Sequence, residues 1–140
     1  MSKILIAYWS STGHTENMAN AIATGIREAG SEVDILHVSN QPDVNAYDAI
    51  AFGCPAMGAE ELEEGEFEPY FMRVEGSLGN KKVALFGSYG WGSGEWMQAW
   101  EERVLACGAT LFSKGLIINE DPDEVGLMEC KNFGSEFATF

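Results

Sequence analysis

Short aliphatic runs alternate with amphipathic stretches along almost the whole chain, and that alternation leaves few folds open. Lys3 to Tyr8 reads as a buried strand, short and aliphatic. From Thr15 to Arg27, Met18, Ala19, Ile22, Ala23 and Ile26 fall at helical spacing, and Gly30 follows as a stop. Glu32 to Val38 is a second strand, with Val33, Ile35 and His37 on one face, and Asn40 to Asn45 is a turn-rich connector. Ala49 to Gly53 is a third apolar run. Within the acidic stretch Glu60 to Glu75, Phe67, Tyr70, Phe71 and Val74 recur at roughly helical spacing. Lys82 to Gly87 is a fourth strand, and Glu95 to Ala106 is a helix carrying Trp96, Trp100, Val104 and Leu105. Thr110 to Ile118 holds a fifth strand, and Pro122 to Phe140 reads as a last helix that contains two poor helix formers, Gly126 and Gly134. This order predicts an α/β domain: a parallel sheet covered by helices on both faces. With 140 residues, one domain over 1–140 has enough chain for a core.

In sheets of this kind ligands bind beyond the carboxyl ends of the strands, where the strand order reverses. The loops after strands one, three and four are also the unusual ones. After the first comes Ser10-Ser11-Thr12-Gly13-His14-Thr15, four hydroxyls and a glycine with no lysine or arginine. A strand, a hydroxyl loop and a helix N-terminus make a phosphate cradle: unpaired N–H groups, the positive helix pole and side-chain donors converge. The alternative is that Ser or Thr merely caps the helix, but a cap needs one such residue and this loop has four. Neither a P-loop nor a Gly-x-Gly-x-x-Gly dinucleotide signature is present. After the third strand comes Cys54-Pro55-Ala56-Met57-Gly58-Ala59-Glu60. After the fourth comes Ser88-Tyr89-Gly90-Trp91-Gly92-Ser93-Gly94, which sets two large aromatics in a glycine-rich tip. A flat aromatic ligand would cover them; a satellite hydrophobic cluster under the loop is the alternative.

Composition closes several other routes. Against 8 basic residues stand 22 acidic ones, a formal net charge of −14. Nucleic acid needs a basic footprint, so the balance argues against it. It suggests basic protein partners, or serves solubility alone. No run is long enough to span a bilayer, and the opening apolar run has no cleavage pattern. Cys54, Cys107 and Cys130 form neither a metal spacing nor an even disulfide set, which suits a reduced, cytoplasmic protein.

Taken together, the three loops resemble those of flavodoxins, and the likeness runs over essentially the whole chain. Ser10 through Thr15 is similar to the family's phosphate loop, hydroxyl-x-Thr-Gly-Asn-Thr. The segments 53–58 and 86–92 are similar to the two flavin-ring loops of the clostridial type, and the surroundings Glu60-Glu61-Leu62-Glu63 and Gly94-Glu95-Trp96-Met97 to rumen-anaerobe members. The uninterrupted fifth strand resembles the short-chain class. The resemblance implies a flavodoxin-like three-layer sandwich whose five-stranded parallel sheet has the order 2-1-3-4-5. It implies a low-potential one-electron carrier that binds FMN non-covalently and shuttles between semiquinone and hydroquinone, with no catalytic residues and no metal of its own. Ser10, Thr12, His14 and Thr15 would surround the phosphate, with Ser11 and Gly13 shaping the loop. Met57 and Trp91 would pack on opposite sides of the ring, and Pro55, Ala56, Ser88, Tyr89, Gly90 and Gly92 would complete the ring loops. The Gly58–Ala59 peptide would face N5, its carbonyl turning to accept a hydrogen bond on one-electron reduction, and Glu60 would lie near N3.

Two residues depart from the family pattern. His14 stands for the usual Asn, and phosphate affinity is expected to depend on its protonation. Ala59 stands where Asp, Asn, Gly or Ser is commoner, and weaker semiquinone stabilisation than with glycine is expected. The acidic residues add repulsion to the reduced, anionic flavin. One carboxylate at about 10 Å in water contributes roughly 0.4 kcal/mol. Several sum to roughly a kcal/mol, which is tens of millivolts at about 59 mV per decade. Glu60, Glu61, Glu63, Glu64, Glu66 and Glu68 beside the ring loop are candidates to steer basic partners, oxidoreductases or ferredoxin-type proteins, or are simply a solvated helix face. A shuttle that must expose its flavin edge is expected to be a monomer.

A true FMN-dependent quinone or nitro-compound reductase would need a nicotinamide site and more chain around the flavin. A phosphatase loop is absent, since Glu60 stands where Cys54 would need an arginine. The aspartate cluster of a phospho-acceptor domain is missing after strand one. Cys54 reads as a small packing residue, and His37 as a strand residue without a catalytic role.

Overall fold

The computed structural model describes residues 3–58, 60–90 and 92–140. The chain runs β1 (Lys3–Tyr8), α1 (His14–Glu28), β2 (Glu32–His37), β3 (Ala49–Gly53), α2 (Phe67–Val74), β4 (Lys82–Tyr89), α3 (Glu95–Ala106), β5 (Thr110–Leu111), β6 (Leu116–Asn119) and α4 (Glu124–Ala138). All named strand pairs are parallel, in the order β2-β1-β3-β4-β5, and β6 also pairs β4. The first crossover carries the chain from β1 out to β2, and the second returns it past β1 to β3. The order therefore reverses at the β1/β3 boundary, and the carboxyl ends of those strands flank it.

Strand residues alternate between two cores, as the two-residue period requires. Leu5, Ala7, Ile50, Phe52, Val83 and Leu85 face α2 and α3, where Phe67, Tyr70, Phe71, Trp96 and Trp100 pack. Ile4, Ile6, Ala49, Ala51, Ala84 and Phe86 face α1 and α4, where Met18, Ile22, Ile26, Cys130 and Phe137 pack. Burial on both faces explains why the central strands are continuous apolar runs.

The single fifth strand expected over 110–118 is divided. Val83 pairs Leu111 and Phe86 pairs Leu116, so a step of three residues on β4 faces a step of five on the edge. The extra residues form a kink around Ser113, at φ 53°, and Gly115. The Glu101 carboxylate accepts the Gly115 N–H at 2.7 Å, and a Cβ on Gly115 would lie 2.2 Å from the Met97 sulfur. Helix α3 therefore shapes this sheet edge, and no local pattern in 110–118 carries that information.

The last helix runs through its glycines as expected. A Cβ on Gly134 would sit 2.1 Å from the Ile22 carbonyl oxygen, and one on Gly25 would sit 1.9 Å from that of Lys131. Bare α carbons let α1 and α4 meet backbone to backbone.

Candidate functional site

Three segments meet at the carboxyl ends of β1, β3 and β4. Between them lies a cleft of about 230 Å³ lined by Ser11, Thr12, His14, Pro55, Ala56, Met57, Ser88, Tyr89, Gly90 and Glu120. A larger hollow of about 470 Å³ lies between α1 and the start of α4, lined by residues such as Asn20, Ala21 and Leu127. Size does not mark the site; the convergence of the loops at the switch point does.

The first loop is built around two inward-facing hydroxyls. Ser10 Oγ accepts the Gly13 N–H at 3.2 Å and the Glu16 N–H at 3.3 Å. Thr15 is buried, and its hydroxyl lies 3.0 Å from that of Ser88, fastening this loop to the end of β4. Gly13 turns the chain into α1 at φ 93°, and no side chain caps the helix from that position. Ser11, Thr12 and His14 are left on the cleft wall. His37 is more than a strand residue: its Nε2 lies 3.5 Å from the Ser10 N–H, and its ring meets Tyr8 edge-on at 5.3 Å.

The second loop leaves β3 tied to β4. The N–H groups of Cys54 and Ala56 donate to the carbonyls of Phe86 and Ser88 at 3.1 and 3.0 Å. A Cβ on Gly87 would lie 2.1 Å from the Cys54 carbonyl oxygen, so glycine is needed for this approach. Cys54 itself is buried, and desolvation pushes its thiol up, which removes it as a nucleophile. A tight turn follows, with the Glu60 N–H on the Met57 carbonyl at 2.7 Å and the Met57 N–H on the Glu61 carbonyl at 2.9 Å. Pro55, Ala56 and Met57 line the cleft, whereas Gly58 and Glu60 do not. Ala59 lies outside the described residues, as does Trp91 of the third loop. In that loop Ser88, Tyr89 and Gly90 line the cleft, and Gly92 stands against Glu60 instead.

Glu120 is a wall residue that the sequence reading missed. Its N–H donates to the Tyr89 carbonyl at 2.7 Å, so the residue just beyond β6 is carried to the cleft by β4. The signal was its place at the end of the last strand, two residues past the expected boundary at 118.

The acidic stretch after the second loop proves to be mostly engaged. Glu63 accepts the N–H groups of Gly65, Glu66 and Phe67 at 2.8, 2.7 and 2.8 Å and so caps the entry to α2. Desolvation would push its carboxyl up; the backbone donors outweigh that and hold it below the ordinary range. Glu68 and Glu75 both pair with Arg103, at 2.7 and 2.9 Å. Glu66 accepts the Trp9 indole N–H at 3.0 Å. Among the described residues, Glu61 and Glu64 are the carboxylates of this stretch that are exposed and make no hydrogen bond.

The cleft wall is polar where Ser11, Thr12 and His14 stand and largely apolar where Pro55, Ala56, Met57 and Tyr89 stand, and it carries no lysine or arginine among the described residues. That donor set fits a phosphate held by hydroxyls, an imidazole and amides at a helix N-terminus, next to a flat apolar ring. Among the described residues no cluster of three acidic, histidine or cysteine side chains could hold a metal ion. No helix among them is long and apolar enough to cross a membrane.

Comparison with known proteins agrees with this geometry. The family described as "Flavodoxin" matches residues 6–134. A flavodoxin of Megasphaera elsdenii is 49% identical over 135 residues, covering 95% of this chain and 96% of the relative. A flavodoxin of Clostridium beijerinckii is 46% identical over 135 residues, covering 95% and 97%. The solution structure of two-electron reduced Megasphaera elsdenii flavodoxin superposes with a TM-score of 0.89 at 47% identity, covering 98% of this chain and 99% of that one.

Proposed function

The chain belongs to the flavodoxin family, and from that premise we propose how its residues divide the work of holding FMN. It is an FMN-binding electron carrier that acts with redox partner proteins rather than an enzyme. Flavodoxins are themselves a standing illustration of a ligand at the β1/β3 switch point. Bound FMN supplies the one-electron chemistry, and the residues bind it, orient it and set its surroundings.

Ser11, Thr12 and His14, with the amides opening α1, hold the phosphate. Ser10, Gly13 and Thr15 shape that loop, a division supported by the inward bonds of Ser10 and Thr15. Pro55, Ala56, Met57, Ser88, Tyr89, Gly90 and Gly92 form the ring's surroundings, with Trp91 opposite Met57. Gly58 and Ala59 provide the peptide that faces N5, and Glu60 lies near N3. The lack of lysine and arginine beside the phosphate and the acidic surface both disfavour added negative charge on the ring, which lowers the potential.

Partners with basic surfaces are steered by Glu61, Glu64 and Glu66, the exposed acids beside the ring loop. The protein works as one domain and as a monomer. Its three free thiols suit the cytoplasm.

One observation carries the site assignment: three loops distant in sequence line one cleft, polar at the start of α1 and largely apolar at Met57 and Tyr89. Titrating the colourless protein with FMN and then reducing it stepwise without oxygen tests the reading. Tight uptake followed by two resolved one-electron steps is expected. Direct two-electron bleaching would overturn the carrier role, and failure to take up FMN would overturn the site.

A further inference from the structure

We propose that Glu60 is a positioning residue that latches the loop after β4 to the loop after β3, shaping the cofactor cleft before FMN enters. The proposal rests on reading that cleft as the FMN site. It deepens that reading by giving Glu60 a protein partner.

Glu60 has φ 54°, a left-handed conformation that a residue with a Cβ adopts only under constraint. The backbone bonds of the 57–61 turn supply part of that constraint. The side chain supplies the rest. Its Oε1 accepts the Gly94 N–H at 3.1 Å, across 34 residues of sequence. Gly94 is the residue that opens α3, and no side chain of its own segment caps that helix. The first N–H groups of a helix lack partners within it, and its N-terminus attracts negative charge. A distant carboxylate fills the vacancy.

The glycines of the third loop fit this role. A Cβ on Gly92 would lie 2.1 Å from Glu60 Oε1, so the carboxyl group packs against a bare α carbon. The latch joins the two sides of the cleft. On one side stands Met57, bonded to Glu60 through the turn; on the other stands Gly90, four residues before Gly94. A loop with three glycines in five residues, 90–94, has many conformations to lose, and an anchor at its end reduces that loss before the ligand arrives.

The test uses flavin-free full-length protein labelled with ¹⁵N, with amide hydrogen exchange read at Gly94. Glu60→Ala is expected to speed Gly94 exchange by about tenfold or more, as loss of a charge-assisted bond would. Glu60→Gln keeps a carbonyl acceptor and should restore protection to within about threefold of the parent. Association of FMN should slow in Glu60→Ala and recover in Glu60→Gln. Unchanged Gly94 exchange in Glu60→Ala, or no recovery in Glu60→Gln, would overturn the latch. If the parent protein fails to bind FMN while Gly94 behaves as expected, the latch is supported and the FMN reading of the cleft is overturned.

Discussion

His14 begins α1 and lines the cleft beside Ser11 and Thr12, where the family pattern has asparagine. Its imidazole is expected to donate to the cofactor's phosphate and not to the ring. His14→Ala should therefore weaken FMN binding by about tenfold, the loss of one hydrogen bond to a charged group. Riboflavin, which has the same ring and no phosphate, should bind within about twofold of the parent. Fluorescence titration with both ligands checks this, and equal losses would place His14 away from the phosphate. Other single residues were legible by type but not by role. Cys54 reads correctly as packing, because burial rather than spacing governs a thiol this deep; Cys130 likewise is pushed up to about 12 by burial. His37 ends β2 as expected, but its reach to Ser10 was not legible, because it depends on β1 and β2 lying side by side.

Elements were legible wherever periodicity is local. Helix α3 and strands β1 and β3 fall at their expected bounds, and α1, β2, β4 and α4 shift by one or two residues. Helix α2 occupies only the second half of the 60–75 stretch, and the fifth strand divides in two. The last helix forms as expected despite Gly126 and Gly134, and what its glycines do was not legible locally. Alanine is favoured over glycine in an isolated helix by about 1 kcal/mol. At Gly25 and Gly134 the obstacle to a Cβ is a backbone carbonyl of the facing helix, which cannot rotate away. Overpacking costs about 1–3 kcal/mol and should win, so Gly25→Ala and Gly134→Ala are each expected to lower the urea midpoint. A raised midpoint would show that α1 and α4 can separate freely. The start of α2 carries a pH dependence. The Glu63 carboxyl is held below its ordinary range in the folded protein. Its contribution is therefore complete above the unfolded carboxyl value, about 4.3, and is lost as pH falls through the lower folded value. The stability gap between the parent and Glu63→Gln should be widest near neutral pH and close in acid. A gap independent of pH in urea unfolding would remove the charge from the account.

At the scale of the whole molecule the excess of acid dominates. A net charge of −14 repels itself in the compact state. Raising salt from about 0.01 M to about 0.15 M shortens the Debye length from about 30 Å to about 8 Å. The flavin-free protein should gain thermal stability over that range, and a falling midpoint would mean that its ion pairs matter more than its repulsion. The part-buried pairs of Arg103 with Glu68 and Glu75 are too few against an excess of 14 negative charges to reverse the sign. The sequence by itself determined the alternation of strands and helices, the three loops, the family and the cofactor. The first two depend on residue type and spacing within about a dozen positions; the family and the cofactor follow from the resemblance of the three loops taken together. Only the tertiary structure decided which acids remain available to partners, since Glu68 and Glu75 are claimed by Arg103 35 and 28 residues later. It alone divided the last strand at Gly115, brought Glu120 to the cleft and set Gly134 against Ile22. A hydrogen-bond partner or a close approach depends on where distant segments come to rest, and a local pattern of residues carries no record of that.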